Sequence, residues 1–207
     1  MNSPVDRGRR DLAEVDLVLA SSSRYRRELL ARLTPRVRQL APDCDESAHA
    51  GEGAADLASR LARAKARAIA AQCGPAVVIG SDQTAELDGS IVGKPGDFEH
   101  ASAQLATASG KAVVFHTAVC VIDTRGDRTR ELNAQDTTRV VFRQLDQGEI
   151  TRYLMREKPF DCAGSFMAEA LGIALFESIE SNDPTALIGL PLIAVCRLLR
   201  ECGIDVL

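Results

Sequence analysis

The 207-residue chain has no tryptophan and two tyrosines, and aromatics make up 4% of it. A ring beside candidate chemistry is therefore worth explaining. A basic excess is also missing. The net charge is −4, which argues against a broad basic surface for DNA or RNA. Three scattered histidines form no zinc motif. Six cysteines contain no CxxC pair, and several sit in apolar runs such as "TAVCVID" and "IAVCRLL". That usage predicts reduced, buried thiols in a cytosolic protein rather than disulfides. No 18-residue apolar run is present, so no membrane span is expected. The charged start "MNSPVDRGRRDLAEVD" lacks an apolar signal core, and residues 1–14 are predicted to be a flexible tail. GxxxxGK[ST], GxGxxG and a serine nucleophile elbow are all absent.

The chain is 45% hydrophobic and 26% charged, enough for a substantial core in a single domain over 15–207. "DLVLA" (16–20) reads as a buried strand, and "RYRRELLARL" as a helix with Leu29, Leu30 and Leu33 at helical spacing. Ser21, Ser22 and Ser23 then occupy a strand-to-helix turn, where unpaired backbone N–H groups favour anions. "VRQLAP" is a candidate strand leading into the acidic loop "DCDES", which contains Asp45 and Glu46. "AADLASRLARAKARAIAAQ" is a strong helix. Its wheel puts Leu57, Leu61, Ala64 and Ala68 within roughly 60° of one another, with Lys65 bordering that face. Lys65 could reach a cleft or be simply solvated.

"AVVIG" (76–80) reads as a central strand, followed by "SDQTAELDGSIVGKP" with an Asp-Gly hairpin turn. Asp82 is expected just past the strand's carboxyl end, a preferred place for ligands. It could bind metal, activate water or merely form a turn. Lys94 in "GKP" is framed by Gly and Pro. Downstream come a helix ("FEHASAQLATAS"), a long antiparallel pair ("KAVVFHTAVCVID", "RELNAQDTTRVVFRQ"), a helix ("QGEITRYLMRE"), a strand ("IALFESIE") and a terminal amphipathic helix ("LPLIAVCRLLREC"). This alternation predicts an α/β fold: a mixed central sheet flanked by helices, with a cleft between two lobes. Hydroxyls, cations and carboxylates on separate loops suit a polyphosphate with a divalent cation.

Together, "LASSSRYRRELL", "PDCDES", "LASRLARAKARAIA", "VIGSDQ", "GKP", "ASGKAVVFHTAVCV", "CAGSFMAEALG" and "ALIGLPL" resemble the Maf family of nucleoside triphosphate pyrophosphatases. The resemblance implies an inosine triphosphatase-like fold, a divalent cation (Mg²⁺ or Mn²⁺), and cleavage of a nucleotide to monophosphate and pyrophosphate. It also implies a cytoplasmic homodimer. The family's phosphate-binding positions map to Ser21, Ser23, Arg26 and Arg27, then Lys65 and Lys94. Its proton acceptor maps to Asp82, also a candidate metal ligand, and its metal-holding carboxylate to Glu46. Three selectivity positions map to Tyr25, Gln83 and Glu169. The tail of the chain is similar to the branch that acts on 7-methyl-GTP, which carries an aromatic at the position of Tyr25. The pyrimidine branch usually has arginine there. Arg24 stands where the family usually has proline, and Met167 where this branch often has lysine. N7-methylation makes guanine cationic, and a ring plus a carboxylate would attract it. The resemblance implies removal of a modified nucleotide before it enters nucleic acid. Two alternatives follow from it: a pyrophosphatase for dTTP, UTP or CTP, and a septum-formation regulator that arrests cell division by binding.

Overall fold

The structure, a computed structural model, describes residues 10–207. In chain order the elements are β1 (Arg10–Asp11), β2 (Leu17–Ala20), α1 (Arg24–Leu30), β3 (Val37–Leu40), α2 (Ala54–Ala70), β4 (Val77–Leu87), β5 (Ser90–Val92), α3 (Phe98–Ala108), β6 (Ala112–Asp123), β7 (Arg130–Phe142), α4 (Gln147–Glu157), β8 (Phe176–Glu180), α5 (Leu192–Glu201) and β9 (Ile204–Asp205). Residues 1–9 of the expected tail lie outside the described residues. Residues 10–14 are not tail. β1 pairs in parallel with β9, and a 3-10 turn over Leu12–Glu14 buries Leu12 in the core. Leu12 packs beside Val15 in that core cluster, and Arg10 N donates to Gly203 O at 3.1 Å.

The main sheet has the order β3-β2-β4-β6-β7-β8, with β5 paired to β4. β3, β2 and β4 are parallel, while β4, β6, β7 and β8 are antiparallel. The sheet is therefore mixed, as expected. The Asp88-Gly89 turn joins β4 to β5 with both residues at positive φ, as a tight hairpin requires. β4 does not end at Gly80. It pairs with β2 only through Gly80 but continues against β6 to Glu86. Asp82 thus lies within a strand, just beyond the carboxyl end of β2, where its parallel neighbour has stopped.

Three apolar clusters hold the sheet. α5 and the Leu29–Leu30 turn of α1 cover one face of the parallel part, and α2 covers the other. α3 and α4 pack on the far ends of β4, β6 and β7. The long strands consequently span two lobes. The buried face of α2 is Ala58, Ala62, Lys65, Ala66 and Ile69, flanked by Leu57 and Leu61. This corrects the wheel: Ala64 and Ala68 are only partly buried, and Lys65 lies inside the face rather than on its border. The alanines permit close approach, and so does Gly80. A Cβ on Gly80 would stand 2.4 Å from Ala62 O and 2.6 Å from Ala66 N. Among the described residues, no helix is long and apolar enough to cross a membrane.

Candidate active site

A cleft of about 990 Å³ opens between the lobes. It gathers Ser21, Ser23, Tyr25, Arg26, Glu46, Lys65, Asp82, Gln83, Lys94 and Glu169 from six separate stretches of chain. Arg27 is exposed and does not line it.

Ser21 directly follows β2 and is buried. Its Oγ accepts from Ser23 N at 3.1 Å and Arg26 Nη1 at 3.4 Å. Ser23 caps α1 by accepting from Arg26 N, so that N–H is already engaged and the helix start is less open to anions than the sequence suggested. Arg26 Nε donates to Gly189 O at 2.8 Å. Burial pulls the Arg26 pKa below its ordinary value, with Asp82 and Glu46 pulling the other way. The serine turn is further pinned by Gln39 of β3, whose Nε2 donates to Ser21 O and Ser23 O.

Lys65 Nζ donates to Asp82 Oδ1 at 2.6 Å and pairs with Glu46 Oε1 at 2.8 Å. Two carboxylates therefore converge on one point. Asp45 is not part of this group, since it accepts from Ser47 N within its own turn. Mg²⁺ is commonly held by one or two carboxylates plus substrate phosphates, so Glu46 and Asp82 fit such an ion only together with a substrate. Among the described residues no group of three or more His, Cys, Asp or Glu could hold a metal alone. Lys94 is exposed on the cleft rim. Its loop is tied down by Gln104 Nε2 to Gly93 O at 3.1 Å and by Gly96 N to Phe160 O at 2.9 Å.

The remaining part of the cleft is more apolar, with Phe115, Phe166, Met167 and Leu187 on its walls. Phe166 packs edge-on against Phe115, Phe142 and Phe176. This fixes the start of the loop carrying Met167 and Glu169. Tyr25 OH donates to Met167 Sδ at 3.2 Å, and Tyr153 OH accepts from Met167 N at 3.0 Å. Arg24, unassigned from sequence, stacks over the Tyr25 ring at 4.7 Å and donates to its hydroxyl. Glu169 lines the cleft with much of its surface exposed, and partial burial raises its pKa. A backbone hydrogen bond and the charge of Arg24 oppose that rise. Gln83 Nε2 meets Thr117 Oγ1, Ala186 O and Leu187 O at 2.9–3.1 Å.

Sequence reasoning missed Gln39, Gln104, Thr117 and Tyr153, which hold the lining residues in place. The available signal was weak: a polar side chain at an inward position of an otherwise apolar strand, as with Thr117 in "FHTAVCV".

The profile of the Maf-like protein family matches residues 16–202. A protein of Albidiferax ferrireducens named 7-methyl-GTP pyrophosphatase is 54% identical over 191 residues, spanning 92% of this chain and 95% of that protein. Proteins of the same name from Xanthomonas oryzae (54% over 187 residues) and Bordetella pertussis (53% over 189) span 90% and 91% of this chain, and 96% and 93% of their own. Among solved structures, the Ham1 protein of Staphylococcus aureus matches at a TM-score of 0.42 and 15% identity, over 76% of this chain and 89% of that one.

Proposed function

The chain belongs to the Maf family, and from that premise we propose that it hydrolyses 7-methyl-GTP to 7-methyl-GMP and pyrophosphate. One observation carries this reading. A single cleft joins a cationic, hydroxyl-rich part (Ser21, Ser23, Arg26, Lys65, Lys94) to a part bearing a ring and a carboxylate (Tyr25, Glu169). The first suits a triphosphate, and the second a cationic purine. A carboxylate and an aromatic face each favour a positively charged base, the ring by roughly 0.5–2 kcal/mol. The names of the relatives agree with it.

In this mechanism Arg26, Lys65 and Lys94 offset the charge that gathers on the leaving pyrophosphate, and the serine turn orients the chain of phosphates. Asp82 accepts a proton from the water that attacks the α-phosphorus. Lys65 holds its Oδ1 and leaves Oδ2 without a protein partner among the described residues. A divalent cation, Mg²⁺ or Mn²⁺, would be held by Glu46 and Asp82 with the substrate and would supply Lewis-acid charge at the phosphate oxygens. The protein acts in this reading as a cytoplasmic homodimer that clears a modified nucleotide from the pool.

Pyrophosphate release across 7-methyl-GTP, GTP, UTP, CTP and dTTP is the direct test. The expected result is a clear preference for 7-methyl-GTP, and a preference for dTTP or UTP would overturn the branch. Asp82→Asn, folded by circular dichroism, should lose roughly 100-fold or more in kcat. Retention of the parental rate would remove Asp82 from the mechanism. A regulator that arrests division by binding would keep its cellular effect in that variant, whereas an enzyme would lose it.

A further inference from the structure

Gln83 on β4 and Thr117 on β6 stand directly opposite each other in the sheet. Thr117 is fully buried. Its Oγ1 accepts from Gln83 Nε2 at 2.9 Å and donates to Ala186 O at 3.0 Å. Gln83 Nε2 also faces Ala186 O at 3.0 Å and Leu187 O at 3.1 Å. A side-chain amide has two N–H donors at one end and a carbonyl acceptor at the other. Only the nitrogen end can face these three acceptors, its two N–H groups sharing one bond between two of them. Turned over, the amide would set its oxygen against two carbonyl oxygens and strip them of a donor. The two backbone carbonyls set this orientation, and the Thr117 hydroxyl supports it by donating to Ala186 O and offering a lone pair to Gln83 Nε2.

The amide is thus locked with Oε1 as the end left over. No protein donor meets Oε1 among the described residues, and Gln83 lines the cleft. We propose that Thr117 is a positioning residue: it holds Gln83 as a fixed acceptor in the cleft, so that the base is read there through an N–H donor. The assignment rests on the reading that Tyr25, Gln83 and Glu169 face the base. Guanine presents ring N–H and amino donors side by side. Cytosine presents a ring-nitrogen acceptor where guanine presents N1–H, so a fixed carbonyl oxygen discriminates against it.

The test compares Thr117→Val, which keeps the shape and loses the hydroxyl, with Thr117→Ser, which keeps the hydroxyl. In the valine variant, the ratio of kcat/KM for 7-methyl-GTP over CTP should fall roughly three- to tenfold, mostly through KM, and serine should restore it. A folded valine variant whose ratio stays within about twofold of wild type, or a serine variant that loses as much as valine, overturns the role. If valine is not recovered folded, Thr117→Ala takes its place under the same criteria. Hydrogen exchange of the Gln83 side-chain amide, followed by NMR without substrate, provides a readout free of the substrate reading. The amide should be protected in wild type and Thr117→Ser and exchange measurably faster in Thr117→Val, where only Ala186 O and Leu187 O remain as acceptors. Wild-type preference for another nucleotide would overturn the substrate alone, whereas unchanged amide exchange in Thr117→Val would overturn the positioning role alone.

Discussion

Lys65 is one cation between two carboxylates, and this makes it more than a phosphate hook. It offsets one of the two negative charges of Asp82 and Glu46, which would repel each other without it. Tyr25 has a comparable double engagement, holding Met167 through its hydroxyl and Arg24 on its ring. The Arg24 that replaces the family's usual proline thereby gains a physical role, since it braces the ring and tempers the charge of Glu169. Glu169 gives a pH prediction. Burial raises its pKa, so it gains its proton at a higher pH than an ordinary carboxylate does. As pH falls through that raised value, the negative charge that the proposed function sets against the base is lost. The ratio of kcat/KM for 7-methyl-GTP over GTP should therefore fall on the acid side and level off above it. Glu169→Gln should flatten this profile. A ratio that is constant with pH in the wild type would remove Glu169 from base selection.

Among the elements, α2 depends on Gly80 for its position. The helix lies so close to β4 that a methyl at residue 80 would meet backbone atoms of Ala62 and Ala66 at 2.4–2.6 Å. Backbone cannot rotate away as a side chain can. Gly80→Ala should destabilise the fold by about 1–3 kcal/mol, and it should lower activity by shifting Lys65 from Asp82. Gly74→Ala, with nothing within 4 Å of the added methyl, is the control. Thermal melts and pyrophosphate release on both variants check this. Equal melting of the two would show that the helix is free to move. The helix itself was legible in its alanines and leucines, but its buried face was legible only in part. Leu57 and Leu61 are buried as the wheel expected, but Ala58, Ala62 and Ala66 are buried where the wheel had Ala64 and Ala68. The small side chains let the two backbones approach closely, and Lys65 is buried against Asp82. The turn at 186–189 shows the same limit. Its carbonyls receive Arg26, Ser81, Thr117 and Gln83, and backbone acceptors carry no sequence signature.

Over the whole molecule, two lobes share the long strands β4, β6 and β7, and three apolar clusters hold them without covalent staples. All six cysteines are free thiols. Burial pushes the Cys120 and Cys162 pKa values to about 12, so thiolate is scarce at neutral pH. The melting temperature should be the same with and without reductant, and non-reducing electrophoresis should show no crosslinked species. A reductant-dependent melt would contradict a fold held by packing alone. Local chain chemistry by itself determined the order of strands and helices, the Asp-Gly hairpin, the serine turn and the motifs that mark the family. These depend on residues a few positions apart, and their periodicity can be read directly. Only the tertiary structure decided that Asp82 sits inside a continuing strand, that residues 10–14 pack on the core and that Lys65 joins two acids. It alone brought Gln83 against a carbonyl 103 residues away. Those outcomes depend on how closely two backbones approach, a distance set by the packing of the whole chain.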